Sequence, residues 1–431
     1  MAHEQHDLSP VTSSCQAGFG HEDVDEQHSR LELWAYRLLC AAAFGAAFSL
    51  PLGRTMMGFS FLLLLVDCVR RRRRFAFSPA AWGWVVFLAV ATFASVVGVD
   101  PARSFLKLEK LIWFVGIPVA ATLAYNRARV CGILTAFVAG VGVLTLQIVV
   151  VRPVEAWFAM RHAVAAGEVG DYLRDITYLG SMTDGQTLML GIVALAGLIA
   201  AGGVVWRRSV DLAGLVLFVA ALVVNLKRGS WICTVVVMGA FAATRMKLRY
   251  LVMLAIATVV VLFLPPVWER FSDLRDEFDM TRGGRMVMWT RIAPPLIRAH
   301  PFGIGYRALT SEMMQNVARE QGVDVEPGRN HLHSNPIQIL IATGWLGLAV
   351  YALWMGVGLI NGFQRVFSAP RGSPDQSIAL SLVLMLVGLI LNGLVEYNFG
   401  DGELVMLYSM VLGMMGAAWS AMPGASELSS D

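Results

Sequence analysis

Apolar runs alternate with short polar connections along almost the whole chain. A transmembrane helix needs roughly 17 to 25 mostly apolar residues. Runs of that order, some slightly shorter, stand at 34–53, 55–69, 80–98, 108–125, 130–151, 183–205, 209–225, 229–244, 249–265, 334–361, 376–394 and 402–422. The pattern predicts an all-α polytopic membrane protein of about twelve transmembrane helices. A polar stretch (1–33) precedes the first nine spans (34–265), a large connection follows (266–333), and the last three spans (334–422) lead to a short tail (423–431). Inside the large connection, Val267–Phe278 and Met286–Ile297 have helical spacing, and Pro301, Gly303, Gly305 and Gly328 interrupt it. That segment is expected to fold as short helices joined by turns.

Composition agrees with the pattern: of 431 residues, 56% are hydrophobic and 15% charged, too little polar surface for a set of water-soluble domains. The net charge of +3 is small, so the placement of the cations carries the information. Arg70 to Arg74, Arg127 with Arg129, Arg207 with Arg208, Arg245 with Lys247 and Arg249, and Arg365 with Arg371 fall in alternate connections. Cations in short loops are retained on the cytoplasmic side. Both termini are therefore expected in the cytoplasm, with the connections at about 152–182 and 266–333 outside. The same rule makes the arginine pentad a topology anchor rather than a nucleic-acid site. The first 33 residues, acidic at Glu22, Asp23, Asp25 and Glu26, lack the basic start of a signal peptide and read as a disordered cytoplasmic tail. The five cysteines lie in that tail (Cys15) or in apolar runs (Cys40, Cys68, Cys131, Cys233), which indicates neither a disulfide framework nor a zinc site.

Three polar features converge on the expected outer side. Lys227 and Arg228 sit between two apolar spans on the side where the cation rule does not want them, as lipid-phosphate anchors or as part of a site. Arg282 and Arg285 flank a glycine pair, and Trp289 follows Arg285 by one helical turn. Guanidinium forks and the free amides of a helix start suit phosphate oxygens. Arg329, His331, His333 and Asn335 come immediately before the apolar run that opens at Ile337. No third ligand at zinc-like spacing joins the two histidines, and His333 at the membrane edge suits a general base. Asp184, Gln186, Asn392, Glu396, Asn398 and Asp401 stand at other outer span ends, and Glu396 is placed to pair with one of the arginines. The mid-span regions hold few ionisable residues, unlike the charged path of a transporter or lipid-linked glycan flippase.

The ordered set of Gly284-Arg285 with Trp289, His300-Pro301-Phe302-Gly303-Ile304-Gly305, His333-Ser334-Asn335 and Gly344-Trp345-Leu346-Gly347 resembles the ligase and polymerase superfamily of bacterial surface polysaccharides. Within that superfamily the chain resembles the O-antigen ligases over roughly 180–360. The resemblance implies a glycosyltransferase of lipopolysaccharide biosynthesis in the bacterial inner membrane, with its active site on the periplasmic side. Its donor would be polysaccharide on undecaprenyl diphosphate, and its acceptor a hydroxyl of the lipid A-core. Arg228, Arg285 and His333 match the family's catalytic residues, with Lys227, Arg282, Trp289, Arg329, His331, Asn335 and Glu396 as substrate-binding candidates. No cofactor, metal or nucleic acid is expected, and transfer is expected to be metal-independent and inverting. An O-antigen polymerase, using the same donor, is the neighbouring alternative.

Overall fold

The computed structural model describes residues 29–166, 181–203, 205–245, 263, 268, 284–325, 328 and 330–417. Most of the polar tail and of the ninth expected span, Val267–Phe278 (apart from Trp268), Arg282, Arg329 and residues 418–431 lie outside the described residues.

The described residues are helical, with no strand among them. In chain order the helices are α1 (Arg30–Ala46), α2 (Leu50–Arg71), α3 (Pro79–Val97), α4 (Pro101–Lys107), α5 (Glu109–Ile112), α6 (Gly116–Leu123), α7 (Arg127–Leu146), α8 (Arg152–Ala166), α9 (Met182–Ala200), α10 (Arg208–Val224) and α11 (Arg228–Arg245). They continue with α12 (Arg285–Val287), α13 (Ala293–Ala299), α14 (Ser311–Glu320), α15 (Asn335–Ser368), α16 (Pro374–Val395) and α17 (Gly402–Gly416). Starts are set by local chemistry. Ser29, Ser78, Asp100, Asn126, Ser181, Thr310 and Ser373 each accept a first-turn backbone N–H, at about 1 kcal/mol per cap. The first helix thus begins at Arg30, four residues ahead of the first apolar run.

Six helical segments among the described residues are long and apolar enough to cross a membrane: Leu50–Arg71, Pro79–Val97, Arg127–Phe158, Met182–Ala200, Asn335–Ser368 and Pro374–Val395. Large apolar side chains on their outer faces, such as Val69, Val86, Leu353, Ile360 and Phe367, are exposed, as lipid-facing residues are when no bilayer surrounds them. The run 108–125, read as one span from sequence, is broken into α5, a 3₁₀ turn (Trp113–Val115) and α6. Pro118 has no amide to donate, and Lys110 turns toward the Gly400 carbonyl, at 3.1 Å.

The helices alternate in direction, which gives the bundle two chemically different ends. At one end the arginine-rich connections meet. Arg73 and Arg129 pair with Glu32 at 3.2 and 3.1 Å, Arg127 pairs with Asp375 at 3.3 Å, and Arg245 donates to the Ser373 carbonyl at 2.7 Å. Ser29, bonded to Asp67, and Gly416, packed on Ser78, lie at this same end. The opposite end gathers the starts of α9, α11, α15 and α17 and the end of α16. α16 packs against α9, α11 and α15 and so draws their polar ends together.

The described part of the large connection has its own small core. Met288, Ile292, Leu296, Ile304, Leu309, Met314 and Leu332 are buried together and rest on Ile341 of α15. The seat is a break in α15. Gly344 takes φ 68°, ψ −173°, a conformation open only to glycine, which leaves the Ile341 and Ala342 carbonyls without their helical partners. Ile304 and Gly305 donate to those two carbonyls at 2.9 and 3.1 Å. The approach is close on both sides: a Cβ at Gly303 would lie 2.5 Å from the Ala342 oxygen, and one at Gly344 2.3 Å from the Pro301 oxygen. The two glycine-containing motifs are thus halves of one joint that locks the connection onto the bundle.

Candidate active site

Leu332 sets the geometry of the histidine segment. Its side chain is buried in the small core, its N–H donates to Gln338 Oε1 at 3.0 Å, and its carbonyl accepts from the Trp289 indole N–H at 2.7 Å. Held on both sides, it projects His331 and His333 as neighbours, with ring centroids 4.2 Å apart. His333 adopts φ +49° just before the extended Ser334 that starts α15. A left-handed conformation costs a non-glycine residue about 1–2 kcal/mol and persists only where its surroundings impose it. Leu226, immediately before Lys227, and Arg307 share it at +55° and +57°. Of the four such non-glycine residues among those described, three lie at this end of the bundle and Arg72, at +53°, lies at the other.

Glu396, at the end of α16, joins two of the sequence candidates. One carboxylate oxygen accepts from Arg285 and the other faces His333 Nδ1 at 3.1 Å. The side chains of Arg285, His333 and Glu396 are 19%, 18% and 9% exposed, shielded from bulk water yet reachable. A carboxylate at Glu396, ion-paired to Arg285, can only accept, so His333 facing it donates from Nδ1, and in the neutral imidazole that tautomer leaves Nε2 with its lone pair. Arg285 begins α12 and runs into a π turn (Met288–Ile292), a local widening that recurs at functional sites.

Beside this trio lies a polar cavity of about 140 Å³ lined by Gln186, Lys227, Arg228, Ser230, Arg285, Asn392 and Glu396, among others. Arg228 is the first residue of the 18-residue α11, so the helix's positive end adds to its charge. Asn392 Oδ1 is buried in the wall with no hydrogen-bond partner among the described residues, a cost of about 1–3 kcal/mol that a ligand hydroxyl would remove. Among the described residues no three His, Cys, Asp or Glu side chains converge as a metal-ligand set.

Of the remaining candidates, Trp289 anchors the histidine segment through Leu332. Asn335 is buried, its amide donating to Asn398 Oδ1 at 2.6 Å and its oxygen accepting from Phe399 N–H at 3.0 Å, so it holds the 396–401 turn in place. Asn398 in turn reaches Gln186 at 2.7 Å, tying α9 to the same turn. Phe399 plugs an aromatic cluster with Phe87, Phe114, Tyr351 and Trp354, ring centroids 5.1 to 5.8 Å from its own. His331 packs beside Tyr397.

A family model described as O-antigen ligase matches residues 213–352, from α10 into α15. Over these residues the chain is similar to the O-antigen ligase family. The matched stretch contains Arg228, Arg285 and His333, whereas Glu396 lies beyond it and reaches the site only through the fold. Members of the O-antigen ligase family are glycosyltransferase-like enzymes of O-antigen processing. No curated protein matches the chain.

Proposed function

We propose that the chain is an O-antigen ligase of the bacterial inner membrane, acting on the periplasmic side with both termini in the cytoplasm. It transfers polysaccharide from undecaprenyl diphosphate to a lipid A-core hydroxyl. The observation that carries this reading is Glu396 bridging Arg285 and His333 at the edge of the cavity that Lys227 and Arg228 also line.

The chemistry follows from the charges. Breaking the sugar–diphosphate bond places negative charge on the leaving diphosphate, and fixed cations in a shielded site stabilise it more strongly than water does. Arg228 and Arg285 supply that charge, with Lys227 beside them. His333 Nε2 takes the proton from the acceptor hydroxyl as its oxygen attacks the anomeric carbon. Glu396 holds the His333 tautomer and stabilises the imidazolium as it forms, the role a carboxylate plays behind a catalytic histidine elsewhere. Attack from the face opposite the diphosphate inverts the anomeric centre. Trp289 and Asn335 position the histidine segment and the 396–401 turn, and Asn392 Oδ1 is placed to accept from a sugar hydroxyl.

Two experiments test the proposal. His333→Ala and Arg285→Ala should each abolish transfer while membrane levels of the protein stay normal, and undiminished ligation by either variant would sink the assignment. With fixed guanidinium groups doing the work, EDTA should leave transfer by purified protein intact. Activity lost on chelation and restored by magnesium would show the metal-free mechanism wrong.

A further inference from the structure

A second set of cations gathers at the Gly400 turn, and nothing in the transfer step above uses it. Arg307 Nη1 and Lys110 Nζ both donate to the Gly400 carbonyl, at 2.8 and 3.1 Å. Arg54 stacks on Trp113 at 5.3 Å, and its Nη2 would be 2.6 Å from a Cβ built on Gly402. Arg54, Arg307 and Lys107 all lie within electrostatic reach of the Lys110 ammonium, as does Asp401. Asp401 accepts from Thr183 at 3.0 Å, and among the described residues it forms no ion pair with any of these cations. Burial raises the Asp401 carboxyl and Glu403 adds to the rise, while Thr183, Arg307 and Lys110 pull it back down.

The Gly400 carbonyl has two lone pairs and accepts both donors, though neutral ones would serve. Two cations on a single carbonyl, with a third alongside, repel one another, and Asp401 nearby is one carboxylate among three cations, so a further anion would relieve the repulsion. Each keeps donors in reserve, since an ammonium has three N–H groups and a guanidinium five. All three are half-buried, reachable from the surface. Arg307 is also held in its left-handed conformation and lies 5.9 Å from the Tyr397 ring, which packs beside His331, itself next to His333. The cluster therefore reaches the proposed base through Tyr397 and His331.

We propose that Arg54, Lys110 and Arg307 form a second anion seat, which binds phosphoryl groups of the acceptor glycolipid and presents its hydroxyl to His333. This rests on the ligase reading for the identity of the acceptor. The two cation sets then divide the work, the Arg228–Arg285 cavity taking the donor diphosphate and the Arg307 cluster the acceptor.

The test is equilibrium binding to the full chain in lipid nanodiscs, with three probes: intact lipid A-core, the same lipid dephosphorylated, and undecaprenyl diphosphate. Transfer is followed in parallel. Arg307→Gln and Lys110→Gln should weaken intact lipid A-core about ten- to a hundredfold, the range expected for a lost charge-assisted bond. Undecaprenyl diphosphate binding should change less than about twofold. The wild type should bind the dephosphorylated lipid as weakly as the variants do. Arg54→Gln removes a cation that makes no hydrogen bond to the Gly400 turn, so its loss of acceptor binding separates charge from folding. Equal binding of the two acceptor forms by wild type, or variants that lose undecaprenyl diphosphate instead, would overturn the seat. Phosphate-dependent acceptor binding without any transfer would keep the seat and count against the ligase reading.

Discussion

Glu396 carries the sharpest expectation at the scale of single residues. Glu396→Gln keeps the shape but loses the charge that orients and stabilises the His333 imidazolium. Transfer should fall roughly a thousandfold with protein levels unchanged, because a neutral amide behind a histidine admits the wrong tautomer. A variant within about threefold of wild type in a single-turnover assay would show that the carboxylate serves only to pair Arg285. The sequence makes Arg228, Arg285 and His333 legible because each sits in a short motif with a chemical reading. It names Glu396 as a span-end acid placed to pair with an arginine and as a substrate-binding candidate, but not as the partner of His333, since 63 residues separate the two and only the fold brings them together. The cations Arg54, Lys110 and Arg307 leave no such trace. They lie in apolar or glycine-rich stretches far apart in the chain and meet at the Gly400 turn alone.

At the scale of elements, the break in α15 is the feature that composition hides. An apolar run through 334–361 predicts one uninterrupted helix, and the helix is indeed long. Gly344 within it is what lets Ile304 and Gly305 dock on freed carbonyls and fix the histidine segment over the cavity. Gly344→Ala should cost at least about 2 kcal/mol, from the forbidden conformation together with the collision at the Pro301 oxygen. It should lower the unfolding temperature of the detergent-solubilised protein and reduce transfer together. A variant with wild-type unfolding and activity would mean that the joint does not position the site. The interruption of 108–125 is a second such case, where polar Lys110 and Pro118 override an apolar run that by length alone fits a bilayer.

At the scale of the whole molecule, hydropathy gives the all-helical architecture directly, since lipid-facing helices must be apolar over their whole length. The count is less legible, because helices of 15 to 18 residues such as α1, α10, α11 and α17 lie at or below the length that marks a span by itself. The alternation of arginine-rich and site-bearing ends leads to a topology prediction. Single cysteines placed at Arg72 and Arg371 should resist a membrane-impermeant thiol reagent added to intact spheroplasts, and one at Arg319 should react. Labelling of the arginine end would invert the assignment and put the site in the cytoplasm. The account stands or falls on transfer itself. The most direct measurement is complementation of cells lacking this gene with wild type and with His333→Ala, following lipopolysaccharide laddering and the lipid-linked glycan pool by gel. The account predicts that wild type restores the ladder while His333→Ala leaves long undecaprenyl-linked polymer accumulating. A full ladder from His333→Ala would contradict the site, and single repeat units on the core in the cells lacking the gene would make the protein a polymerase.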